Sequence, residues 1–164
     1  MRVCIHQPDF FPWLGLINKI AKTEHLIFLD NVQATLGKSW LTRNRLLYNN
    51  ETKWITLPTY KELLPIRDIK INHKVNIKRK HLGLIRSSYA KTPYFKIIYP
   101  MIEDIYSKDF EKLIDFNTYS LKTILNKLSI NTKITFASDY VGNKFPPKLT
   151  GNDLILELAK LAKA

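Results

Sequence analysis

The chain has 164 residues, 45% of them apolar, and a formal net charge of +12. That length suits a single domain burying roughly 70% of the surface its unfolded chain exposes. No stretch approaches the ~20 apolar residues of a membrane span, and Met1-Arg2-Val3-Cys4-Ile5-His6 turns polar too soon for an export signal. Cys4 is the only cysteine, so no intrachain disulfide forms and a soluble protein of the reducing cytoplasm is expected.

Val3 to Gln7 is a short apolar run broken by Pro8 and predicts a strand. Pro12 suits the first turn of a helix running to Thr23, with Trp13, Leu14, Ile17, Ile20 and Ala21 at helical spacing. His25 to Leu29 predicts a second strand, ending at Asp30. This order defines a βαβ unit in which Val3–Gln7 and Leu26–Leu29 are adjacent and parallel. Asn31 to Ser39 reads as a polar loop containing Gly37. Trp40 to Leu47 and Lys53 to Leu57 flank Tyr48-Asn49-Asn50-Glu51-Thr52 and predict a β-hairpin. Ile66, Ile69 and Ile71 suggest another strand.

Beyond this point the pattern becomes helical. Val75 to Tyr89 predicts a basic helix. Phe95, Ile98, Tyr99, Ile102, Ile105 and Tyr106 mark an amphipathic one, and Ile114, Leu121, Ile124, Leu125 and Leu128 a third. Lys133 to Ala137 alternates like a strand. Asn152 is the expected cap of a last helix through Leu154, Ile155, Leu158 and Leu161. The expected fold class is α/β in one domain, 1–164. It has an N-terminal βαβ unit with parallel strands, a β-hairpin insertion, and a mainly helical C-terminal half with one further strand. The last helix meets Ala164 without a glycine cap, which predicts orphan carbonyls and an apolar stripe for a homodimer or partner chain to cover.

Charge is unevenly placed. Gln33 to Lys96 holds 14 Lys and Arg against 3 acids, whereas the remainder holds 12 basic and 11 acidic side chains. A field of that kind attracts phosphates. The competing reading is a lysine-rich surface set by biased composition.

Ligands of parallel βαβ units gather beyond the carboxyl ends of the strands. Those ends carry His6-Gln7 and Asp30-Asn31. Neighbouring strands lie about 4.8 Å apart, so Asp30 is expected to hydrogen-bond His6 and orient its imidazole as a general base. The alternative is a core histidine paired with a buried aspartate. Cys4 lies on the strand face of His6 and reads as a packed thiol rather than a nucleophile. A second constellation joins Gly37-Lys38-Ser39-Trp40 to Arg43-Asn44-Arg45. Arginines at alternate strand positions share a face and grip phosphate oxygens in bidentate fashion. Lys38 would assist them, and Trp40 would supply a flat wall for a sugar or base. The alternative is a solvated hairpin face with one Trp in the core. Gly37-Lys38-Ser39 is not a P-loop, because Val32 stands where its first glycine belongs. The histidines and Cys4 show no paired ligand spacing, so no metal is expected.

The run Ile5-His6-Gln7-Pro8-Asp9-Phe10-Phe11-Pro12-Trp13-Leu14-Gly15 resembles the opening of the WbqC-like family. So do Phe28-Leu29-Asp30-Asn31-Val32-Gln33, Trp40 with Arg43-Asn44-Arg45, and Thr56-Leu57-Pro58. Weaker echoes follow at Tyr89, Pro93-Tyr94-Phe95, Ser129 to Thr132 and Ser138-Asp139, so the resemblance runs the length of the chain in order. It implies bacterial O-antigen or other surface-polysaccharide biosynthesis. The implied activity is an acyl- or aminoacyltransferase acting on a nucleotide-linked amino sugar, with an acyl or aminoacyl donor and no resident cofactor. Some members carry Met at the position of His6. The implied binding core therefore centres on Gln7, Asp30, Gln33, Arg43, Asn44 and Arg45, with Asn31 beside them. Family members continue past the last helix, so the resemblance also implies a missing C-terminal part. Two rival readings remain. One is a nucleic-acid-binding module using the basic segment with Trp40, Trp54 and Tyr60 as stacking surfaces. The other is a non-catalytic partner in a glycan-synthesis complex.

Overall fold

A computed structural model describes residues 1–35 and 37–164. Leu36, within the loop expected between Asn31 and Ser39, lies outside the described residues. The chain is α/β, as its pattern predicts. Strand β1 (Val3–His6) leads through helix α1 (Leu14–Ala21) into β2 (His25–Phe28). The two strands pair in parallel, Val3 opposite His25 and His6 opposite Phe28. Strand β5 (Lys133–Phe136) adds to the other edge of β2, also parallel. The order β1-β2-β5 makes β2 the centre, and all four of its residues are buried. A strand covered on both faces should read as a continuous apolar run, and Leu26-Ile27-Phe28 does.

Alternation sorts the two faces. Cys4, Leu26 and Phe28 pack against Leu16, Ile17 and Ile20 of α1 and against Leu121 and Leu125 of α4 (Leu113–Lys127). Ile27 packs the other way with Leu154, Leu158 and Ala162, joined by Val3, Ile5 and Leu29. Those partners come from α6 (Gly151–Leu161) and its C-cap. Full burial of each leucine contributes about 1.5–3 kcal/mol. α5 (Ser138–Val141) is a short turn of helix directly after β5.

Between β2 and β5 the chain builds a second core. The hairpin β3 (Arg43–Tyr48) and β4 (Glu51–Thr56) closes with Tyr48 opposite Glu51. Asn49 and Asn50 have φ of 50° and 61°, the left-handed pair a two-residue type I′ turn needs. Helices α2 (Lys78–Tyr89) and α3 (Phe95–Ser107) follow. Leu46 and Ile55 of the hairpin pack with Ile85, Ile105, Tyr106 and Phe116. α4 touches this core through Leu113, Ile114 and Phe116 and the sheet core through Leu121 and Leu125.

Several expected details differ. Ile66, Ile69 and Ile71 are not a strand: Ile66–Asp68 is a 3₁₀ turn, flanked by isolated bridges at Lys70–Lys112 and Ile71–Thr59. Pro65 starts that turn, and the isoleucine spacing reflects burial rather than a ladder. Pro12 lies before α1, whose N-cap position is Trp13. Asn152 does not cap α6; Thr150 holds the extended N-cap position, without a side-chain bond. The end of α6 is closed by a left-handed residue, Lys163 (φ 58°). The amides of Lys163 and Ala164 donate to Lys160 and Ala159 carbonyls, so those carbonyls are not orphaned. Ile155, Leu156 and Leu161 stay exposed on its outer side.

Two side chains define the interior electrostatics. Asn117 is fully buried on α4 and donates to the Pro8 carbonyl (2.7 Å) and the Leu41 carbonyl (2.9 Å). Asn117→Ala should cost roughly 2–4 kcal/mol, because two buried acceptors lose their donor; urea denaturation measures it. His81, buried on α2, meets the Tyr106 hydroxyl at 2.8 Å. Burial, reinforced by Lys80, pushes its imidazole down to about 4. The unfolded chain then binds the extra proton below about pH 6.5. Stability should be full above that pH and fall toward pH 4 by up to about 1.4 kcal/mol per pH unit. His25, lowered by burial and then by Lys133, adds in the same direction. Denaturation midpoints across pH 4–7 should show a flatter slope for His81→Leu than for the native chain.

Candidate functional site

The parallel sheet brings three strand ends to one edge. The Leu29 amide donates to the His6 carbonyl (2.9 Å), and the Ala137 amide donates to the Phe28 carbonyl (2.8 Å). His6-Gln7, Asp30-Asn31 and Ser138 therefore stand side by side, where parallel sheets bind ligands.

The expected hydrogen bond between His6 and Asp30 is not formed. Asp30 is buried and both its carboxylate oxygens are taken by Ser138, Oδ1 by the amide (2.9 Å) and Oδ2 by the hydroxyl (2.6 Å). Adjacent strand ends do not guarantee that the side chains converge, and Asp30 turns toward β5 instead of β1. It locks the strand-to-α5 junction. His6 places Nδ1 2.8 Å from the Gln7 carbonyl. A carbonyl only accepts, so Nδ1 carries the hydrogen and Nε2 of the neutral ring keeps its lone pair. The carboxylate that senses His6 is Asp9: burial raises its pKa and the attraction of His6 opposes that rise. Cys4 is fully buried beneath α1, and burial pushes its thiol up against the opposing pull of Lys19. A raised, enclosed thiol is a packing group.

Asn31 is fully buried at this edge, and neither its amide nitrogen nor its oxygen has a partner among the described residues. Arg67, on the 3₁₀ turn, donates its backbone amide to the Asp30 carbonyl (2.9 Å). Its Nη2 donates to the Asn143 carbonyl, and its Nη1 is buried without a partner among the described residues. Gln33 bridges to Pro65 with its side chain exposed, and Lys38 is exposed in the preceding loop.

The hairpin supplies a separate surface. Arg43 and Arg45 share a face of β3, and Trp54 stands opposite Arg45 on β4. The Arg43 guanidinium lies 3.9 Å from the centre of the Trp54 ring. Arg45 lies 5.6 Å from both the Trp40 and Trp54 rings, which are themselves 5.6 Å apart. Trp40 and Trp54 are 45% and 44% exposed, so this is a solvent-facing shelf of two indoles and two guanidiniums. Trp40 is thus not a core residue. Asn44 points the other way: its amide donates to the Phe11 carbonyl and its Oδ1 accepts from the Arg45 amide (2.6 Å). It holds the loop between β1 and α1 against the hairpin.

Sequence reasoning grouped Trp40, Arg43 and Arg45 as the structure does, and named Trp54 as a stacking surface. It gave no role to Arg67 or Asn117. The signal for Asn117 was a polar residue at an apolar position of the α4 pattern. Arg67 carried a similar one, a cation within an isoleucine-rich segment.

These features define an α/β protein with a ligand-type sheet edge and an adjoining basic, aromatic shelf. The profile of the WbqC-like protein family matches residues 7–164, and the chain belongs to that family. It is 27% identical over 143 residues to the uncharacterized protein Rv1507c of Mycobacterium tuberculosis. The aligned region covers 85% of this chain and 61% of that relative, so the chain spans less than two thirds of its length. No solved structure matches. No helix among the described residues is long and apolar enough to cross a membrane.

If Asp30 is chiefly a lock for Ser138, Ser138→Ala should destabilise the fold by about 1.5–3 kcal/mol, the range for a hydrogen bond to a charged group. A melt of that variant indistinguishable from the native chain would remove the lock.

Proposed function

We propose that this protein is a cytoplasmic acyl- or aminoacyltransferase of surface-glycan biosynthesis that acts on a nucleotide-linked amino sugar. The observation that carries the reading is the shelf: Arg43 and Arg45, held at indole rings, with Trp40 and Trp54 open to solvent. Guanidiniums suit a diphosphate, and indole faces suit a base or the apolar face of a sugar. Membership of the WbqC-like family supports the same class. On this reading the phosphates meet Arg43, Arg45 and Lys38, while Gln7, Asn31 and Gln33 address the sugar. The sugar amine attacks the acyl carbonyl carbon, a C–N bond forms, the carrier leaves, and the amine proton passes to His6 Nε2. Asp30 serves the site by fixing its edge, and Asn44 by fixing the loop beside the shelf.

The exposed indoles within a basic segment also favour single-stranded nucleic acid as a second reading. The two differ in saturation by one small ligand against a steep fall of affinity with log salt.

Titration with nucleotide-linked amino sugars provides the test. Arg43→Ala and Arg45→Ala should each weaken binding by about 1.5–3 kcal/mol with the melting temperature little changed. In the same assays His6→Asn should remove the acidic limb of the rate–pH profile while leaving binding intact. Normal nucleotide-sugar binding by both arginine variants would sink the phosphate assignment.

A further inference from the structure

A pocket that none of the proposed contacts uses opens beside the shelf. Residues ahead of β3 and residues 56–61, at the far end of β4, enclose it, and its volume is about 220 Å³. Sites that enclose a whole ligand run to ~300–1,000 Å³, so this one has room for a single ring system. Its place follows from the hairpin register, because Thr56, which lines it, stands directly opposite Arg43. Cross-strand partners have Cβ atoms about 4.5–5.5 Å apart on one face, so the pocket begins beside a shelf guanidinium.

Its lining combines two chemistries. Leu41, Leu57, Ile69 and Leu113 are buried and supply an apolar floor. Thr35, Thr42, Thr56 and Thr59 supply hydroxyls. Thr42 Oγ1 donates to the Ser39 carbonyl (3.4 Å), whereas the Thr56 and Thr59 hydroxyls have no partner among the described residues. Among the described residues no carboxylate lines the pocket, and its one charged side chain, Lys61, is exposed. A threonine hydroxyl both donates and accepts, so this set serves carbonyl oxygens and N–H groups alike. What fits is an uncharged ring with apolar faces and a polar edge.

We propose that this pocket holds the base of the nucleotide whose phosphates the shelf takes. This rests on the nucleotide-sugar reading and adds to it the position of the nucleoside. A base is flat and apolar on both faces, and its carbonyl and N–H groups lie on its edge. It therefore meets leucines with its faces and threonines with its rim. A sugar ring carries hydroxyls around its circumference, and those against Leu41, Leu57, Ile69 and Leu113 would lose water without gaining a partner. The ribose then bridges to Arg43, and Trp40 and Trp54 are left for the apolar face of the sugar.

Calorimetric titration with uridine and guanosine diphosphates, pyrophosphate and N-acetylglucosamine 1-phosphate separates the parts of such a ligand. The tighter of the two nucleotides should bind the native chain about tenfold or more tightly than pyrophosphate does. Thr59→Trp, which crowds the pocket, should weaken that nucleotide about tenfold or more. Thr56→Val removes one hydroxyl at an exposed position without changing the side-chain shape, and should weaken it about threefold to tenfold. Both variants should leave pyrophosphate and the sugar phosphate unchanged. The second variant keeps the test decisive if the first fails to fold. Three results would each overturn the pocket assignment alone: nucleotides bound no better than pyrophosphate, folded variants that bind the nucleotide as the native chain does, or variants that lose the sugar phosphate instead. A native chain that binds none of these probes would overturn the nucleotide reading and the pocket assignment with it.

Discussion

The Asn117 side chain is the joint on which the rest depends. Its one amide group holds the carbonyl of Pro8, which follows β1, and the carbonyl of Leu41, which precedes β3. Those segments are more than thirty residues apart in the sequence. The neighbouring bonds then close the same seam: the Phe10 amide donates to the Trp40 carbonyl (2.8 Å), and Asn44 reaches the Phe11 carbonyl. Phe11 is held at a φ of 46°, a conformation that costs a bulky residue about 1–3 kcal/mol and persists only when its surroundings fix it. Because Asn117 sits on the one helix that serves both the sheet core and the hairpin core, it links the sheet edge and the aromatic shelf to one frame.

Electrostatics explain why the shelf stays available. The basic segment has only three acids, and its neighbours engage two of them. Glu51 pairs with Lys53 at 3.1 Å, and Asp68 lies 3.1 Å from Lys112 and 3.6 Å from Arg67. These exposed pairs add little stability, but they leave Arg43 and Arg45 without a carboxylate among the described residues. The arginines rest on indole faces instead. A cation–π contact at an exposed site is worth roughly 0.5–1 kcal/mol, less than a charge-assisted hydrogen bond to phosphate. An arriving anion therefore meets guanidiniums that are oriented but not neutralised.

The βαβ unit, the hairpin and the helical half were legible because their signals are local. Pro8 breaks the apolar run of β1, His25 to Leu29 reads as a strand, and Trp40 to Leu47 with Lys53 to Leu57 reads as a hairpin, although its turn is Asn49-Asn50 alone rather than Tyr48 to Thr52. The alternate spacing of Arg43 and Arg45 likewise fixes their shared face without tertiary knowledge. The errors came where the partner lies far away in sequence. Asp30 follows a strand flanked on both sides, and only the position of β5 decides that Ser138, 108 residues on, takes both its oxygens. Ile66, Ile69 and Ile71 are buried by α4 and the hairpin core rather than by a ladder, and burial alone does not distinguish a 3₁₀ turn from a strand. Asn117 needed knowledge of which backbone groups would lack water.

The register of one hairpin decides what each of these surfaces can recognise. Along β3 the residues alternate, Arg43 and Arg45 toward the shelf, Asn44 and Leu46 toward the loop seam and the core. A slip of one residue would exchange those sets, burying two guanidiniums and exposing the side chains that hold Phe11 and pack the hairpin core. The register is fixed at one end by the left-handed Asn49-Asn50 turn and at the other by the Asn44 bond to Phe11. Leu46 and Ile55 add the penalty of exposing buried apolar surface if the pairing moves. Asn44, Asn49 and Asn50, three asparagines with no place in the chemistry, therefore determine that the basic face of this strand looks outward and its apolar face inward.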